Sequence, residues 1–256
     1  MRVLIIGDAF IDVWRYYRKV KENPEQPGTF VYKFIDEREC VGGVSNTAHA
    51  FRYIEPEIEI QLEHNEMRPR KVRFETDDGM LRIDDEENLR LPQIYFKDSY
   101  DAIIISDYNK GCVTEKLMKK LKNKFSGVPI FVDTKPENYG WYKDVFCVTP
   151  NYKELEQLYP KETDIVKSAK RLSKEINSNV IVTLGENGCL LVNDSKDMTI
   201  PYEGIFANKV NVSGAGDVFL ASLCINFLKT KNLKTATDQA NKNAALSVEN
   251  QYTGFQ

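Results

Sequence analysis

The sequence predicts an α/β fold: a doubly wound, mostly parallel sheet with a small β lid. Three observations predict it. Residues 3–6 form a short, continuously apolar run, as buried parallel strands do. From residue 100 onward, apolar runs of strand length alternate with helical patterns. Two charged and aromatic stretches, residues 13–41 and 66–90, interrupt this rhythm, and we assign the lid to them.

The elements of the main sheet follow in order. The first strand, residues 2–6, ends in a Gly-Asp pair, and the next helix is predicted to start near Ser45 or Asn46, after two glycines. The other predicted strands are residues 59–62, 102–106, 129–133, 146–149, 180–184 and 189–192. The other predicted helices are residues 114–125, 164–176, 216–228 and 233–248, with one more beginning at 151–154. We therefore predict a single domain over residues 1–256.

The lid prediction rests on strand patterns outside the main sheet. Residues 30–34 alternate in polarity, and residues 70–74 and 80–83 flank an Asp-Asp-Gly hairpin signal at 77–79. An isolated flap of two or three strands is marginal in water. We therefore expect the lids of two subunits to pair in a homodimer.

Composition excludes several classes of function. A net charge of -3 gives no electrostatic case for binding nucleic acid or an anionic membrane. We see no signal peptide and no apolar run of membrane-helix length. The 5 cysteines are scattered without C-x-x-C spacing, which indicates reduced thiols in a cytoplasmic protein. Only 2 histidines are present, so a Ser-His-Asp or histidine–metal mechanism has little to work with.

The stretch that organises the chain centres on Asp217. Gly214, Ala215 and Gly216 are small and precede an apolar helical run, so their amides lie at a helix N-terminus that favours an anion. A carboxylate there would repel a phosphate unless it acts as a base. It would take a hydroxyl proton while the amides hold the charge of a transferring phosphoryl group. The alternative is an ordinary glycine turn with an acid in the first helical turn.

Polar residues also follow the first strand. Asp8 and Asp12 lie outside its carboxyl end, where open α/β sheets bind ligands. Asp12 is a candidate acceptor for sugar hydroxyls, and a turn or N-cap aspartate is the alternative. Gly42 and Gly43 let the backbone approach a ligand closely, and Asn46 offers both a donor and an acceptor to a polyol.

Taken together, these motifs resemble the ribokinase-like (PfkB) family of carbohydrate kinases over nearly the whole chain. The family's D-T-x-G-A-G-D resembles residues 211–217. Its N-terminal G-D and G-G-x-x-N resemble residues 7–8 and 42–46, its N-x-x-E residues 151–154, and its T-L-G-x-x-G residues 183–188. Five motifs in the family's order, each at a strand end, are far more specific than any one of them.

Within the family, the chain most resembles the heptose 7-phosphate kinase branch. Residues 23–27 look like that branch's S-P-E-A-P, residues 106–111 like its S-D-Y-x-K-G, residues 133–135 like its D-P-K and residues 81–84 like its L-R-x-D. The resemblance implies ATP as phosphoryl donor and a heptose 7-phosphate, phosphorylated at its anomeric hydroxyl, as acceptor.

The resemblance also implies residue roles, with Asp217 as general base and the three residues before it as the anion hole. On the acceptor side it places Asp12, Gly42, Gly43, Asn46, Asp107 and Lys110. On the ATP side it places Asn151, Thr183, Gly185, Gly188, Lys135 and, near the adenine, Asn241. Glu154 would act with Asn151 on Mg²⁺ through water. Further candidates for a substrate phosphate are Arg68, Arg70 and Arg73, together with Lys110.

Two departures from the family pattern matter. Asn211 stands where the family usually has the aspartate of a monovalent-cation loop, so we expect little activation by K⁺. The segment between Phe51 and Arg68 is short, where relatives carry a longer excursion. One edge of the sheet is therefore expected to be missing, which exposes a new edge or invites a partner.

Two classes of function remain open. One is an ATP-dependent sugar or sugar-phosphate kinase, with a nucleoside kinase or another sugar kinase of the family as runner-up. The other is a truncated kinase-fold protein that binds a ligand without turnover, which the short segment favours. The intact Asp217 and Gly-Ala-Gly stretch favour the kinase. Residues 7–10 (G-D-A-F) lack the G-x-G-x-x-G of a dinucleotide-binding dehydrogenase, and no Walker motif is present.

Overall fold

The computed structural model describes residues 1–66, 69–84, 90–193, 196–208 and 211–249. The strands are β1 (Arg2–Gly7), β2 (Ala9–Glu22), β3 (Phe30–Gly43), β4 (Glu59–His64), β5 (Arg70–Thr76), β6 (Gly79–Asp84), β7 (Ala102–Asp107), β8 (Ile130–Thr134), β9 (Cys147–Val148), β10 (Asn179–Thr183), β11 (Cys189–Asn193) and β12 (Met198–Tyr202). The α-helices are α1 (Val44–Ile54), α2 (Glu115–Lys124), α3 (Tyr152–Leu158), α4 (Ile165–Ile176), α5 (Ala215–Thr230) and α6 (Leu233–Ser247). Two 3-10 helices cover Pro136–Tyr142 and Gly185–Asn187.

The large sheet has eight strands in the order β12-β11-β10-β9-β8-β7-β1-β4. In this order, the six strands from β10 across to β4 run parallel to one another. β11 and β12 add an antiparallel edge. The predicted fold class, a mostly parallel sheet flanked by helices, is confirmed. The sequence analysis did not predict β12, whose run contains Pro201 and lacks a clear alternation.

Both faces of the large sheet are covered, and β1 shows how. Val3 and Ile5 point into an apolar core shared with α1, α5 and α6. Leu4 and Ile6 point into the opposite core, shared with α2, α3 and α4. Successive side chains of a strand alternate between faces, so a strand covered on both sides must be apolar throughout. This arrangement leaves the carboxyl ends of the parallel strands as the open edge where a site can form.

The second, smaller sheet has the order β3-β2-β5-β6, and we call it the small sheet. β2 pairs antiparallel with β3, and β5 runs parallel to β2 and forms a hairpin with β6. The two predicted lid insertions fall on this sheet. Its first strand begins earlier than predicted, at Ala9, because β2 continues directly from the core strand β1. Along β2, the residues change from buried and apolar to exposed and charged, so no single hydrophobic period identifies the whole strand.

The large sheet ends at β4 in the described residues. Whether an edge is missing relative to the family stays a prediction. The outer strand carries charged residues that discourage further strand pairing. Glu59 pairs with Arg2 and Lys97. Just beyond the strand, the side chain of Asn65 accepts a hydrogen bond from the Ala9 amide at 2.7 Å and donates one to its carbonyl at 3.0 Å. A side chain thereby satisfies both backbone groups of Ala9 at this edge.

The thiols and the helices agree with the sequence analysis. All five cysteines are free thiols, and four of them are buried: Cys112, Cys147, Cys189 and Cys224. The fifth, Cys40, is half-buried on β3. In the part of the chain that the structure describes, no helix has the length and apolar character needed to cross a membrane.

Candidate active site

The first turn of α5 carries the candidate base. Gly214 caps this helix in the left-handed region, with φ 78°, a conformation that glycine adopts without strain. Ala215, Gly216 and Asp217 form the first turn. Amides in the first turn of a helix lack intrahelical acceptors and point outward along the helix dipole. The predicted anion hole and the predicted base therefore occupy the same helix terminus.

Three donors converge on the Asp217 carboxylate, which is only 3% exposed. Asn46 donates to Oδ2 and Thr47 to Oδ1, each at 2.8 Å, and the Tyr108 hydroxyl lies 3.4 Å from both oxygens. Burial raises the pKa of Asp217 to about 6, although these hydrogen bonds lower it, and the charge of Asp12 adds to the rise. Such a carboxylate is mostly ionised at neutral pH and is more basic than an exposed one. Both properties suit a proton acceptor.

Asp12 lies on β2 and is 4% exposed. It forms an ion pair with Arg73 of β5. A Cβ added at Gly42 would lie 2.5 Å from Asp12 Oδ2, and one added at Gly43, whose φ is 60°, would lie 2.2 Å from the Asp8 carbonyl. The two glycines are thus required by close packing of β3 against β2, and this packing places Asp12 at the end of the large sheet.

Asp8 has a structural position instead of a ligand-facing one. Its carboxylate accepts hydrogen bonds from the amides of Tyr108 at 2.9 Å, Lys110 at 3.1 Å and Cys112 at 3.0 Å. These bonds hold the loop after β7 against β1. The position predicted for a substrate is therefore taken by backbone donors, and Asp8 acts by orienting the loop.

Asp107 also differs from its predicted role on the acceptor side. It is 2% exposed, and its Oδ2 accepts hydrogen bonds from Thr134 and Asn138 at 2.8 Å and from Tyr142 at 2.6 Å. Its Oδ1 accepts one from the Asn109 amide at 2.8 Å. Four donors saturate a buried carboxylate, so we revise its role from sugar contact to support of the loop after β7.

A cavity of about 520 Å³ lies between the small sheet and the ends of β7 and β8, and we call it the cationic cavity. Its lining includes five cationic side chains: Lys71, Arg82, Lys110, Lys135 and Lys153. It includes three acidic ones: Asp84, Glu137 and Glu154. The remaining lining residues are Tyr108, Asn109, Pro136, Asn151 and Gln157. The excess of positive charge suits phosphate groups.

A second cavity, of about 580 Å³, lies between α5, α6 and the turn after β10, and we call it the apolar cavity. Its lining includes five of the predicted ATP-side residues: Asn151, Thr183, Gly185, Gly188 and Asn241. Two anion-hole residues, Ala215 and Gly216, also line it. Most of the remaining lining is apolar: Leu184, Ile205, Val212, Phe219, Ala244, Ala245 and Val248. An apolar slot that ends at a helix N-terminus fits a nucleobase and its phosphates.

Asn151 and Lys153 line both cavities, so the two adjoin at the start of α3. There Asn151 and Glu154 form a capping box: each side chain bonds the other's amide at 2.9 Å. Lys135 donates to the free oxygen of Glu154 at 2.6 Å. Burial, and then the charge of Glu154, raise the pKa of Asp133 well above its ordinary range. The two carboxylates are therefore close enough to repel each other.

This pair of acids bears on the predicted metal. Among the described residues, no cluster of three or more His, Cys, Asp or Glu side chains could hold a metal ion by itself. A cation bound beside Glu154 and Asp133 would favour the ionised form of Asp133 and offset the repulsion between the two carboxylates. Mg²⁺ binds proteins through one or two carboxylates, keeps several waters and takes its other ligands from substrate phosphates. The residues fit such an ion.

The sequence analysis missed two residues of the site. Thr47 contacts Asp217, the candidate base, directly, and its place one residue after Asn46 at the start of a helix was the available signal. The Nζ of Lys71 lies 3.3 Å from the centre of the Phe10 ring and 4.9 Å from that of Tyr108. Burial lowers the pKa of Lys71 to about 8. The signal for Lys71 was its spacing of two from Arg73, which puts both on one face of a strand.

Of the three arginines predicted to meet a substrate phosphate, two are engaged by carboxylates. Arg73 pairs with the buried Asp12, and Arg70 pairs with the exposed Glu39. Arg68 lies outside the described residues. The cationic side chains that do line the cavity from the small sheet are Lys71 and Arg82.

Known proteins resemble the chain over most of its length. Residues 78–256 match the model of the pfkB family carbohydrate kinase. Two relatives named bifunctional protein HldE are 28% identical over 289 residues, from a Nitratiruptor species, and 27% identical over 293 residues, from Helicobacter acinonychis. Both alignments cover 96% of this chain but only 61% and 62% of the relatives. The chain thus spans less than two thirds of the length of these curated relatives.

Solved structures share the fold at lower identity. Ribokinase from Thermotoga maritima superposes with a TM-score of 0.75 at 18% identity, covering 99% of this chain and 94% of that one. Ribokinase from Arabidopsis thaliana, complexed with ribose and ATP, gives a TM-score of 0.75 at 16% identity, covering 98% and 93%. These likenesses show a ribokinase-like fold. Because the family model matches more than half of the sequence, the chain belongs to the pfkB family of carbohydrate kinases and is a sugar kinase.

Proposed function

We propose that the chain transfers the γ-phosphoryl group of ATP to a hydroxyl of a phosphorylated sugar, with the anomeric hydroxyl of a heptose 7-phosphate as the first acceptor to test. The position of Asp217 carries the proposal. Its helix lines the apolar cavity through Ala215 and Gly216, and Tyr108, which contacts Asp217, lines the cationic cavity. A base between a nucleotide cavity and an acceptor cavity is what in-line phosphoryl transfer needs.

The proposed chemistry uses the donors around the base. Asn46 and Thr47 fix the Asp217 carboxylate with their 2.8 Å hydrogen bonds. The Tyr108 contact, at 3.4 Å, is the weakest of the three, so a sugar hydroxyl can replace it. The hydroxyl proton passes to Asp217 as the sugar oxygen attacks the γ-phosphorus and the bond to ADP breaks. The amides of the first turn of α5 stabilise the charge on the transferred group.

For the metal, we propose that Glu154, with Asp133 beside it, holds Mg²⁺ through water on the nucleotide phosphates. A bound Mg²⁺ would supply positive charge to the β- and γ-phosphate oxygens. Lys135, which pairs with Glu154, would face the same phosphates from the edge of the cationic cavity. The positive charge of Lys135 would then stabilise the nucleotide phosphates directly.

The acceptor phosphate is assigned to the cationic cavity. Lys71 and Arg82 reach it from the small sheet, and Lys110 from the loop after β7. Burial disfavours the charged form of Lys71, which a phosphate would restore. The motif resemblance to the heptose 7-phosphate kinase branch and the relatives named HldE support the same choice.

The competing proposal, a truncated protein that binds without turnover, is less well supported. The shortened segment leaves β4 as the last strand of the large sheet in the described residues. Asp217, its three donors and both cavities are formed without that segment. A nucleoside kinase remains the runner-up. Nucleosides carry no phosphate, however, so they would leave the excess cationic side chains of the cationic cavity without an anion to bind.

We also propose a homodimer through the outer face of the small sheet, in a cytoplasmic protein as the free thiols suggest. Phe34, Leu81 and Ile83 are 51%, 61% and 50% exposed, and cross-strand pairing places them on one face with Tyr17 and Phe74. Contiguous exposed apolar side chains mark association surfaces. Leu81→Glu should shift the sedimentation coefficient from dimer to monomer in analytical ultracentrifugation. A wild-type chain that sediments as a monomer at high concentration would contradict the pairing.

The decisive test of the function is ADP release with ATP, Mg²⁺ and a panel of heptose, hexose and pentose phosphates, their unphosphorylated sugars, and nucleosides. We expect the highest kcat/KM with a heptose 7-phosphate. Equal turnover of unphosphorylated sugars or nucleosides would overturn the acceptor assignment and leave the kinase intact. ATP binding without ADP release for any acceptor would favour the non-catalytic alternative.

A further inference from the structure

We infer that Arg73 is a positioning residue, which holds the Asp12 carboxylate in one orientation so that its second oxygen accepts a hydroxyl of the sugar. The inference rests on the proposed function, in which Asp12 lies on the acceptor side. It assigns to the small sheet a direct part in acceptor affinity.

The geometry of the pair comes from strand register. β2 and β5 run parallel with Asp12 beside Lys71 and Trp14 beside Arg73, so Arg73 stands two residues along from Asp12 on the same face. Its Nη1 donates to Asp12 Oδ1. The guanidinium also lies over the Trp14 ring, 4.5 Å from its centre. The arginine is thus fixed by an ion pair at one end and by an aromatic face beneath it.

The pair is buried, with side-chain exposures of 11% for Arg73 and 5% for Asp12. Among the described residues, only Oδ1 of Asp12 has a hydrogen-bond donor, and that donor is Arg73. Oδ2 lies against Gly42, at the glycine pair that lets a ligand approach. In the part of the chain that the structure describes, Oδ2 is not one of the buried side-chain atoms that lack a partner, so it remains open to a donor, and a sugar hydroxyl can supply one.

Among the described residues, the two other cations near Asp12 do not donate a hydrogen bond to it. Arg82 stands directly opposite Arg73 across the β5–β6 hairpin, but it turns toward Asp84, to which it donates twice, at 2.6 and 2.5 Å. Lys71 feels the charge of Asp12, yet its Nζ sits over the Phe10 ring. Arg73 is therefore the cation that orients this carboxylate.

Arg15 provides a matched control on the same sheet. It also pairs with an acid on the neighbouring strand, Glu37, and also lies over an aromatic ring, that of Phe74, at 5.7 Å. Its ion pair is about one third exposed, with side-chain values of 35% and 32%. Exposed pairs of this kind contribute little. Arg15→Met therefore removes the same chemical groups without touching Asp12.

The experiment compares Arg73→Met, Arg73→Lys and Arg15→Met in the full chain, using the best acceptor of the panel. Arg73→Met should raise the acceptor KM at least about tenfold while the KM for ATP stays within about twofold and kcat within about threefold. Arg73→Lys should recover part of the loss, because it restores the charge but not the planar fork. Arg15→Met should match the wild type. Equal loss for ATP and acceptor would overturn the inference.

A double-mutant cycle separates positioning from direct contact. Asp12→Asn alone should raise the acceptor KM, and adding Arg73→Met to it should change KM by less than about twofold, because both changes act through one carboxylate. A further loss of about tenfold in the Asp12→Asn background would show that Arg73 contacts the acceptor itself, and would overturn the inference. Circular dichroism melting of each variant confirms folding. The double variant also removes the unpaired buried charge that Arg73→Met leaves.

Binding without turnover gives the same test independently of catalysis. In a Trp141→Phe background, Trp14 is the remaining tryptophan, so its fluorescence reports titration with each acceptor of the panel. A wild-type chain that binds an acceptor without releasing ADP would end the kinase proposal but still give the effect of Arg73→Met as a change in Kd. If the wild-type chain neither binds nor turns over any acceptor, both the kinase proposal and the inference about Arg73 are wrong.

Discussion

The apolar cavity and the cationic cavity adjoin, yet they are built by different means. The apolar cavity is made by backbone features: a glycine turn after β10, a capping box at α3 and a glycine-capped helix terminus at α5. The cationic cavity is made by side chains that cross between strands of the small sheet and a loop of the large one. Backbone features leave local motifs in a sequence, whereas cross-strand side-chain pairs depend on register. Under the proposed function, ATP would bind the cavity that local motifs reveal, and the acceptor would bind the cavity that they do not.

The largest expected effect is at the boundary of the two cavities. Asp217→Asn keeps the size and most hydrogen bonds of the side chain but removes its basicity. It should lower kcat at least about a hundredfold. ATP affinity should hold or improve, because a negative charge near the γ-phosphate is gone. A folded variant that turns over within a few-fold of the wild type in the ADP-release assay would end the assignment of the base.

Filling the apolar cavity should affect the nucleotide alone. Ala245 of α6 lines that cavity, and Ala245→Phe should raise the KM for ATP about tenfold by occupying its space. Alanine and phenylalanine differ modestly in helix propensity, so the fold should persist. Acceptor affinity, measured by Trp14 fluorescence without nucleotide, should not change. A matching loss of acceptor affinity would mean that the two cavities are not separable.

The pH profile should report one group from each side of the site. Asp217 must be ionised, and with its pKa near 6 the activity should fall as pH drops through about 6. Lys71 must be charged to bind a phosphate, and with its pKa near 8 the activity should fall as pH rises through about 8. The profile of kcat/KM reports these groups in the free enzyme.

The control for this profile is Lys71→Arg, which keeps its charge at high pH. It should move the alkaline limb upward for phosphorylated acceptors and leave the acid limb in place. An unchanged alkaline limb would contradict the assignment of Lys71 to the acceptor phosphate. This outcome does not depend on the result for Asp217.

The smallest expected effect concerns K⁺. The side-chain oxygen of Asn211 accepts a hydrogen bond from the Ser213 amide at 2.9 Å, and a neutral amide attracts a cation less than a carboxylate does. Replacing a large organic cation by K⁺ should change activity by less than about twofold. Asn211→Asp should increase that response. A steep rise with K⁺ that Asn211→Asp leaves unaltered would contradict this prediction.

The fold was predictable wherever a strand or helix has a uniform environment. β1 and β7 each contain an unbroken apolar run, residues 3–6 and 102–105, and α4 carries a clear apolar face, so their patterns are readable. The start of β2 could not be predicted in this way, because one continuous strand passes from the core into an exposed sheet. β12 could not be predicted either, because an edge strand needs no strict alternation.

The site was predictable to the extent that its residues lie in local motifs. Asn151, Glu154 and Asp217 were proposed this way, and the structure places them at the two adjoining cavities. Asp107 lies in a motif too, but the sequence cannot tell a saturated carboxylate from one that faces a ligand. The pairing of Asp12 with Arg73 spans 61 positions and follows from a parallel register that forms only after the chain crosses over. No spacing rule would have predicted it.

The placement of the thiols gives the native chain a built-in reporter. Cys40 stands opposite Asp12 in the β2–β3 register. Burial raises the pKa of Cys189 to about 12 and those of Cys112, Cys147 and Cys224 further, so these four react slowly with alkylating reagents. We therefore expect a dye to attach first at Cys40, beside the acceptor side, without removal of any other cysteine. Its rate of attachment, with and without sugar, would follow occupancy in an enzyme that has not been mutated.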